Sequence, residues 1–342
     1  MKIWIDILTP KQLLFSEPIV KKLGTKHDLL CTSREYHEVS KLAKIRHFDL
    51  IFVGKHGGGD KKSKLKASIE RMGKLSKKIK RFEPDLVISF GSPEAARISF
   101  GLGIKHIMFC DSPHANAVMK LTLPLIQKLL IPYVIPKKEF SKYGIHEKNI
   151  VQYKAIDAAV TMKRKIREDL NSPFKNNNKK NILIRVEEEE AAYTSKSSKI
   201  IPIIQKITKD YKNENVVVLG RYTKQINNLQ KIIGNKVKIV KMSFDGKFLL
   251  NKTDIFIGSG GTMTAESALM GIPTISYNAV PNIVEEFLVK KSLVKRETNP
   301  NKVSNHIKKI FETKNDQNQK RAKKIVKEME DPIEKLIKII KN

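Results

Sequence analysis

The sequence predicts an α/β protein built from two doubly wound domains, each around a parallel sheet. Short apolar runs alternate with longer helical patterns, and this alternation occurs as two successive sets along the chain. Continuous apolar runs are typical of strands that are buried on both faces of a parallel sheet. The length of 342 residues also fits two domains, because a domain averages roughly 150 residues. We therefore expect two Rossmann-like domains.

The strand pattern gives the domain boundaries. In the first half the predicted strands are Lys2–Ile7, Asp28–Thr32, Leu50–Val53, Asp85–Phe90, His106–Cys110 and Tyr133–Ile135. In the second half they are Asn181–Val186, Asn215–Leu219, Lys236–Val240, Asp254–Ile257 and Thr274–Tyr277. The polar, Asn-rich segment 172–180 separates the two sets. We predict an N-terminal domain at residues 1–160, a linker region at 161–180, a C-terminal domain at 181–325 and a C-terminal helix at 326–342 that packs back on the first domain.

The composition is ordinary except for its charge. Lysine and arginine total 66 against 35 acidic residues, which gives a net charge of +31, and only 11 of the 66 are arginine. Nucleic-acid binding is disfavoured, because base recognition relies on arginine and aromatic residues are only 7% of the chain. The lysines are either simply solvated or attract an anionic membrane surface or a phosphorylated substrate.

Other features exclude several classes of protein. Cys31 and Cys110 lie in apolar runs, so they read as core thiols of a reducing compartment. No apolar run reaches the roughly 18 residues of a membrane-spanning helix. The first seven residues, MKIWIDI, read as a strand and not as a signal peptide. We therefore expect a cytoplasmic protein, which can dock on a membrane from its periphery.

The most informative motif is a glycine-rich turn in the second half. The segment Asp254–Ile275 reads as strand, turn and helix, with Ser259, Gly260 and Gly261 in the turn. Thr262 and Thr264 begin the helix, whose free N–H groups and positive dipole end favour phosphate. Glu266 follows within the first two turns, where a carboxylate can accept hydrogen bonds from sugar hydroxyls. A purely structural interpretation is a capped turn with a glutamate favoured by the helix dipole.

This string resembles the donor motif of GT-B glycosyltransferases. The sequence SGGTMTAE at 259–266, followed by Gly271 and Pro273, is most similar to the lipid-linked muramyl-peptide N-acetylglucosaminyltransferase type. It is also similar to the corresponding turn of UDP-GlcNAc 2-epimerases. The resemblance implies that the turn holds the diphosphate of a nucleotide sugar and that Glu266 holds the ribose. It also implies that the loop around Ser243 reads the base.

Over most of residues 1–290 the chain resembles a narrower group, the prokaryotic domain-of-unknown-function family numbered 354. The matching stretches are WIDI at 4–7, VGKHG at 53–57, FGSPEAAR at 90–97, FCDSPHA at 109–115 and the SGGTMTAE turn. The resemblance implies a GT-B-like architecture, with two Rossmann-like doubly wound parallel-sheet domains facing a cleft. The donor would then bind the C-terminal domain and the acceptor the N-terminal domain.

Asp111 and His114 are the candidate catalytic residues. They follow a predicted strand and are three residues apart, so they can hydrogen-bond if Pro113 opens a helix. His114 would then act as a base that titrates near neutrality, with Asp111 orienting it. Asp111 also matches a catalytic carboxylate in the epimerases, although the Glu-rich and Arg-containing stretch that follows it there is absent. The alternative is a helix-capping aspartate beside an incidental histidine.

Arg185 and Arg221 are the candidate cations for a departing diphosphate. Each follows a predicted strand of the second half, and each could instead be a partner for the acidic run Glu187–Glu190. GT-B enzymes stabilise the departing diphosphate with a helix N-terminus and a cation, without a divalent metal. No cluster in this sequence has metal-ligand spacing either. We expect no metal and no cofactor, and we expect the substrate to be a nucleotide sugar, with a UDP-sugar favoured.

The acceptor side is less defined. Loops after the predicted strands of the first half offer possible acceptor-binding or lid residues, namely Lys11, Gln12, His56, Gly57 and Ser92. The glycine run that follows His56 could form an anion-binding nest or a mobile lid, or be an ordinary surface turn.

Residues 61–82 predict a strongly basic amphipathic helix. Leu65, Ile69, Met72, Leu75, Ile79 and Phe82 recur at helical spacing, and the other faces hold ten basic residues against one acidic residue. Either the apolar stripe packs on the sheet and the lysines are solvated, or the helix docks on anionic lipid.

These observations favour a nucleotide-sugar-dependent glycosyltransferase, with a membrane-bound or phosphorylated acceptor. The alternatives are a UDP-sugar 2-epimerase and a non-catalytic protein that binds polyanions through its lysines. The sequence does not predict the sugar, the base, the acceptor or the oligomeric state.

Overall fold

The computed structural model describes residues 1–166, 172–175, 177–187, 200–234, 237–241, 245–279, 281–313 and 317–341. The chain divides into two compact units. The first unit comprises residues 1–161 together with 330–342, and the second unit comprises residues 162–329.

The first unit alternates strands and helices from its first residues onward. Its strands are β1 Lys2–Asp6, β2 Asp28–Glu35, β3 Ile51–Lys55, β4 Leu86–Ser89, β5 Lys105–Phe109, β6 Lys128–Pro132 and β7 Ile150–Tyr153. Its helices are α1 Pro10–Leu23, α2 His37–Arg46, α3 Lys61–Phe82, α4 Pro93–Gly101, α5 Asn116–Thr122, α6 Lys138–Ser141 and α7 Ala158–Thr161, with single 3₁₀ turns at Leu123–Leu125 and Glu147–Asn149.

The first sheet is parallel throughout, in the order β3-β2-β1-β4-β5-β6-β7. The strand order reverses between β1 and β4, and the carboxyl ends of the strands at such a reversal are where ligands of doubly wound sheets bind. Helix α3 packs on one face of this sheet through Leu75 and Ile79, which join Trp4 and Val87 in a buried apolar cluster.

The second unit repeats this arrangement. Its strands are β8 Asn181–Arg185, β9 Asn215–Gly220, β10 Lys238–Lys241, β11 Ile255–Gly258, β12 Thr274–Ser276 and β13 Lys295–Arg296. Its helices are α8 Ile200–Asp210, α9 Thr223–Ile233, α10 Gly246–Leu250, α11 Thr262–Leu269, α12 Ile283–Lys290, α13 Pro300–Glu312 and α14 Gln317–Lys327. The chain then returns to the first unit with α15 Pro332–Lys341.

The second sheet is also parallel, in the order β10-β9-β8-β11-β12-β13. Its strand order reverses between β8 and β11. The residues that end these two strands, Arg185 and Gly258, therefore lie at the crevice where ligands of such sheets bind. The core beneath them is mostly isoleucine and valine, which suits strands covered on both faces.

The two parallel α/β units confirm the predicted fold class, but the sixth strand was placed wrongly. The structure puts β6 at Lys128–Pro132 and not at Tyr133–Ile135, and β7 was not predicted. The apolar run around these residues has no period that fixes a register, so pairing decides it. Leu129 and Leu130 pair with β5 on one side and with β7 on the other. Pro132 ends the strand, because it has no N–H to donate to a ladder.

Part of the segment interpreted as a linker belongs to the core of the second unit. Phe174 is buried there against Leu183, Phe248 and Phe256. A single aromatic residue in a polar, Asn-rich stretch gave no periodic signal, so its burial could not be predicted from the sequence.

The basic helix is confirmed at α3, but its apolar stripe is only half buried. Leu75 and Ile79 are buried, whereas Leu65 and Ile69 are 63% and 56% exposed. Arg71, one of the ten basic residues that the helical spacing places outside the apolar stripe, is 1% exposed. Its guanidinium donates to both carboxylate oxygens of Asp6 at 3.1 and 2.6 Å. A long helix projects beyond the sheet, so helical periodicity alone does not tell which turns are covered.

Candidate functional site

The glycine turn of the second unit lies at the point where the order of its sheet reverses. Ser259, Gly260 and Gly261 connect β11 to α11. Gly260 has a φ of +97°, and a Cβ there would lie 3.2 Å from Glu285 Cγ. Gly261 is different, because a Cβ added to it would meet no atom within 4 Å. The turn is therefore tightly packed on its inner side and open on its outer side.

Helix α11 begins without a side-chain cap. Gly261 is the N-cap residue, and none of the described side chains accepts a hydrogen bond as its cap. Thr264, in the first turn, uses its hydroxyl to accept a hydrogen bond from the Gly260 N–H at 3.2 Å. The first N–H groups of a helix have no partner within the helix, and they carry its positive dipole end. This end of α11 is thus suited to an anion such as phosphate.

Glu266 lies one turn further along α11 and is buried in an ion-paired cluster. Its carboxylate accepts a hydrogen bond from Arg164 Nη1 at 2.9 Å, and Arg164 also donates to Asp245 at 2.7 Å. Burial lowers the pKa of Arg164, but the two carboxylates raise it by more, so the net shift is upward. The ribose contact that the resemblance implies for Glu266 stays a prediction, since in this structure its carboxylate is held by Arg164.

Arg185 and Arg221 lie at the ends of neighbouring strands of the second sheet. Arg185 is 7% exposed, and its Nη1 donates to the Gly220 carbonyl at 3.3 Å. The backbone N–H of Arg221 donates to Gln225 Oε1 at 2.9 Å, which fixes the start of the loop after β9. Arg185 ends β8, which pairs with β11, so it lies at the reversal of the strand order beside the glycine turn. Ser243 lies outside the described residues.

Three charged side chains meet at the carboxyl edge of the first sheet. Lys11, at the start of α1, forms ion pairs with Asp111, after β5, and with Asp157 at 2.7 Å, just before α7. Tyr153, the last residue of β7, donates its hydroxyl to Asp157 Oδ1 at 2.5 Å. We call these four residues the Lys11 cluster. Its members come from three separate parts of the chain, which follow or end β1, β5 and β7, and the parallel strands bring these parts together.

The two carboxylates of this cluster have different proton affinities. Burial and the negative charge of Asp111 raise the pKa of Asp157 to about 6, although Lys11 opposes this shift. Burial also acts to raise the pKa of Asp111, but Lys11 outweighs it and the net shift is downward. Asp111 is therefore ionised at neutral pH, whereas Asp157 titrates close to neutral pH. Pairs of acids with separated pKa values are typical of acid–base chemistry.

The predicted pairing of Asp111 with His114 does not have the geometry we assumed. Pro113 does not open a helix, because α5 begins at Asn116. Asp111 instead binds Lys11 and accepts a hydrogen bond from Ser112 Oγ at 2.8 Å. His114 is half-buried, and burial lowers its pKa, so it is mostly neutral at pH 7. A catalytic role for Asp111 or His114 stays a prediction.

Gln12 and Ser92 have structural contacts. Gln12 accepts from the Leu8 N–H and donates to the Phe90 carbonyl, both at 2.6 Å, and so ties the loops after β1 and β4 together. Ser92 is fully buried, donates to Asp6 at 2.6 Å and caps α4 by accepting from Ala95 N–H at 3.1 Å. Both side chains lie behind the loop surface, and an acceptor contact for either stays a prediction.

His56 and the glycine run after it pack closely on other parts of the first unit. The imidazole stacks on Tyr36 with a centroid distance of 4.8 Å, and its Nδ1 accepts from the Gly58 N–H at 3.0 Å. A Cβ on Gly57 would lie 2.6 Å from Lys64 Cα, so this loop lies directly against the first turn of α3. The close contact explains why glycine is required at position 57.

Some residues of these sites were missed by sequence reasoning. If the sequence had predicted the strand Ile150–Tyr153, Asp157 would have been a candidate as a carboxylate that follows a strand end, and Tyr153 as the residue that ends the strand. Arg164 had no such signal, since it precedes every predicted strand of its unit. Only packing places it beside Glu266.

Two kinds of feature are absent from the part of the chain that the structure describes. No group of three His, Cys, Asp or Glu side chains there converges as a metal site. No helix in those same residues has the length and apolarity needed to cross a membrane.

Comparison with known proteins relates this chain to a family and to a group of folds. It is 28% identical to an uncharacterized protein of Methanocaldococcus jannaschii over 355 aligned positions, covering 100% of this chain and 98% of that protein. The UDP-GlcNAc 2-epimerase of Neisseria meningitidis bound to UDP-GlcNAc superposes with a TM-score of 0.69 at 15% identity, covering 100% of both chains. The glycotransferase of kitacinnamycin superposes with a TM-score of 0.63 at 11% identity, covering 96% of this chain and 94% of that one.

At such low identities, these two structures establish a shared fold: two parallel-sheet α/β domains of the GT-B type. The family model described as "Protein of unknown function (DUF354)" matches residues 1–342. The chain therefore belongs to the DUF354 family.

Proposed function

We propose that this protein is a nucleotide-sugar-dependent glycosyltransferase whose second unit binds a UDP-sugar donor. The observation that carries the proposal is the open turn Ser259–Gly261, which leads into the uncapped N-terminus of α11 where the strand order reverses. A solved structure with this fold holds UDP-GlcNAc, and another is a glycotransferase, which supports this class of ligand and reaction.

The chemistry at the turn would act on the diphosphate of the donor. Transfer of a sugar leaves a nucleoside diphosphate, whose developing negative charge must be stabilised. The N–H groups that open α11 supply that stabilisation from the backbone, and Arg185 and Arg221 supply positive charge from adjacent strand ends. Glu266 would bind the ribose hydroxyls after exchanging part of its ion pair with Arg164.

The Lys11 cluster supplies the acid–base chemistry of the first unit. An acceptor hydroxyl must lose its proton as the new glycosidic bond forms. Asp111 is the proposed base, because Lys11 keeps its carboxylate ionised at neutral pH. Lys11 and Asp157 position that carboxylate, and Tyr153 fixes Asp157 in turn.

The donor site can be tested with substitutions at Gly261, where a side chain meets no protein atom. Asp and Asn have nearly the same shape, both are good N-cap residues, and only Asp adds a negative charge. We expect Gly261→Asp to weaken UDP-GlcNAc binding about tenfold more than Gly261→Asn, because the carboxylate repels the diphosphate at the helix N-terminus. Isothermal titration calorimetry measures the affinities, and thermal unfolding checks that both variants are folded.

Two results would contradict the donor site. One is an unmodified protein that binds neither UDP nor UDP-GlcNAc. The other is an equal loss of affinity in the two Gly261 variants, because the charge would then have no effect at this position.

A UDP-sugar 2-epimerase is the second candidate, and the pair Asp111 and Asp157 is the observation that favours it. Epimerisation at a carbon needs one group to remove a proton and another to return it, and these two carboxylates have separated pKa values beside one lysine. Incubation of UDP-GlcNAc in D₂O without an acceptor distinguishes the reactions. An epimerase exchanges the C2 proton for deuterium, whereas a transferase leaves it in place and releases UDP only with an acceptor.

We also propose that α3 docks the protein on an anionic membrane surface. Leu65 and Ile69 are exposed in its first turns, and the basic residues around them lie at or near the surface. Apolar side chains flanked by lysine are typical of interfacial helices, in which each basic group near the surface contributes about 1 kcal/mol.

A further inference from the structure

A second cluster of cationic side chains lies at the same carboxyl edge of the first sheet, but at the ends of β2 and β3, on the other side of β1 from Asp111 and Asp157. Arg34 is near the end of β2, and His56 follows β3, which pairs with β2 in parallel. The His56 N–H donates to the Glu35 carbonyl at 3.0 Å, so the two strand ends are held side by side. Lys64, in the first turn of α3, lies against Gly57.

Arg34 has a buried donor, its Nε, that none of the residues described by the structure satisfies. Its Nε is buried and has no hydrogen-bond partner among the described residues. A buried polar atom without a partner loses its hydration and gains nothing in return, and the loss is larger for a charged group. Guanidinium groups have a planar fork that matches the oxygens of phosphate. Such a group is expected where a ligand completes its hydrogen bonds.

The two carboxylates that act most strongly on Arg34, Glu94 and Asp6, are already engaged by other partners. Asp6 accepts hydrogen bonds from Arg71, Thr32 and Ser92. Glu94 accepts from Ser68 at 2.8 Å and lies 3.5 Å from Arg71. Burial lowers the pKa of Arg34 by more than Glu94 and Asp6 raise it, so these carboxylates do not offset its burial.

His56 adds a neutral donor to this cluster. Burial, followed by the positive charges of Arg34 and Lys64, lowers its pKa to about 4, so the ring is neutral at pH 7. Its Nδ1 accepts the Gly58 N–H, which places the ring proton of the neutral form on Nε2. Stacking on Tyr36 fixes the orientation of the ring.

We propose that Arg34, His56 and Lys64 bind a phosphate group of the substrate that docks on the first unit. The inference rests on the proposed function for the nature of that substrate, a phosphorylated acceptor, but the binding itself can be measured without any sugar donor. The phosphate can belong to a lipid headgroup or to a soluble molecule, and both present the same oxygens to the guanidinium.

The test is calorimetric titration of the full-length protein with inorganic phosphate, without nucleotide. We expect saturable binding that weakens at least tenfold in Arg34→Gln, since a charge-assisted fork is lost. Arg97→Gln is the matched control, because Arg97 is an exposed arginine of the same unit, on α4. We expect it to bind phosphate as the unmodified protein does. Arg34→Lys keeps the charge without the fork, and its affinity should lie between those of the Gln variant and the unmodified protein.

Thermal unfolding without ligand separates a binding role from a structural one. Because Arg34 Nε has no hydrogen-bond partner within the described part of the chain, Arg34→Gln should be as stable as the unmodified protein or more so. If Arg34→Gln is less stable than Arg34→Lys, or fails to fold, then Arg34 is a structural residue and the proposal is overturned. The proposal is also overturned if the phosphate affinities of Arg34→Gln and Arg97→Gln do not differ.

Vesicles separate the two sources of phosphate. Phosphatidylcholine mixed with phosphatidic acid presents a terminal phosphate, and phosphatidylcholine mixed with phosphatidylglycerol presents negative charge without one. If Arg34→Gln weakens binding only to the vesicles with phosphatidic acid, the phosphate belongs to a lipid headgroup. If it weakens only the binding of inorganic phosphate, the phosphate belongs to a soluble substrate. Failure of UDP-GlcNAc binding would refute the donor site but would leave these results standing.

Discussion

The candidate sites at the carboxyl edges of the two sheets are built from different chemical groups. In the second unit the glycine turn and α11 present backbone groups, and the surface at Gly261 is open. In the first unit the Lys11 cluster presents side chains that are already paired with one another. A backbone site needs one contiguous segment with the right turn, whereas a side-chain site needs several loops held in register. One substitution in the glycine turn can therefore alter the backbone site, whereas the side-chain site depends on the charge of each residue in the Lys11 cluster.

The largest expected effect breaks the charge balance of the first unit. In Lys11→Met, Asp111 and Asp157 would be left close together without their cation, and removing one partner of a buried ion pair costs about 3 kcal/mol or more. The loss should shrink as the pH falls, because both carboxylates can then take up protons. Urea unfolding at several pH values measures it.

Lys21→Met is the control for this variant. Lys21 is also on α1 and pairs with Glu17, but its side chain is 73% exposed. Exposed pairs contribute little, so stability should barely change. Equal losses in the two variants would show that the Lys11 cluster is not electrostatically important.

The next effect concerns the opposite behaviour of the two carboxylates. The pKa of Asp157 is about 6 in the folded protein, above its ordinary value of 3.8, so its ionisation destabilises the fold as the pH rises through this window. Asp157→Asn should therefore gain stability over the unmodified protein between about pH 4 and pH 7, by up to about 3 kcal/mol.

Asp111→Asn should have the opposite sign. The pKa of Asp111 is lowered in the folded protein, so its ionised form contributes stability above its ordinary pKa, and that stability is lost as the pH falls. At neutral pH this variant should be less stable than the unmodified protein. Unfolding curves for the two variants that move in the same direction with pH would refute the assigned pKa shifts.

A smaller effect compares the inner and outer sides of the glycine turn. Gly260→Ala must hold a side chain at a φ of +97° and at 3.2 Å from Glu285, which should cost about 1 to 2 kcal/mol. Gly261→Ala should cost much less, because its side chain meets no protein atom. The free energies of unfolding measure both, and a larger loss at Gly261 would mean that the turn has a different conformation.

The smallest effect on stability is expected at the exposed end of α3. Leu65→Ser with Ile69→Ser should change the free energy of unfolding by no more than about 0.5 kcal/mol per site, because both side chains are exposed. The same double variant should bind anionic vesicles markedly less well in a sedimentation assay. Leu75→Ser, at a buried position of the same helix, should instead be strongly destabilising. Unchanged vesicle binding in the double variant would contradict membrane docking through α3.

The glycine turn could be predicted because its residues are adjacent in the sequence. Strand Ile255–Gly258, the turn and α11 follow one another, so local rules for strands, glycine and helix starts were sufficient. The Lys11 cluster could be predicted only in part. Lys11 and Asp111 were selected separately, but no local signal linked them to each other or to Asp157, which is 146 positions from Lys11.

Two arginines, Arg71 on α3 and Arg34 on β2, could not be distinguished from other basic residues by the sequence either. Arg71 belongs to a run of basic residues and nothing in its spacing distinguishes it, yet it is buried on Asp6. Arg34 was not selected at all, because an isolated arginine in a strand has many structural explanations. Its unpartnered Nε is visible only once its neighbours are in place.

The sequence by itself determined the two parallel α/β units, the basic helix and the glycine turn, because these depend on hydrophobic period and on residues close along the chain. The tertiary structure alone decided which charges are paired, which part of α3 is covered and where β6 lies. These properties depend on the order of strands in each sheet, which brings residues from distant loops within a few ångströms of one another.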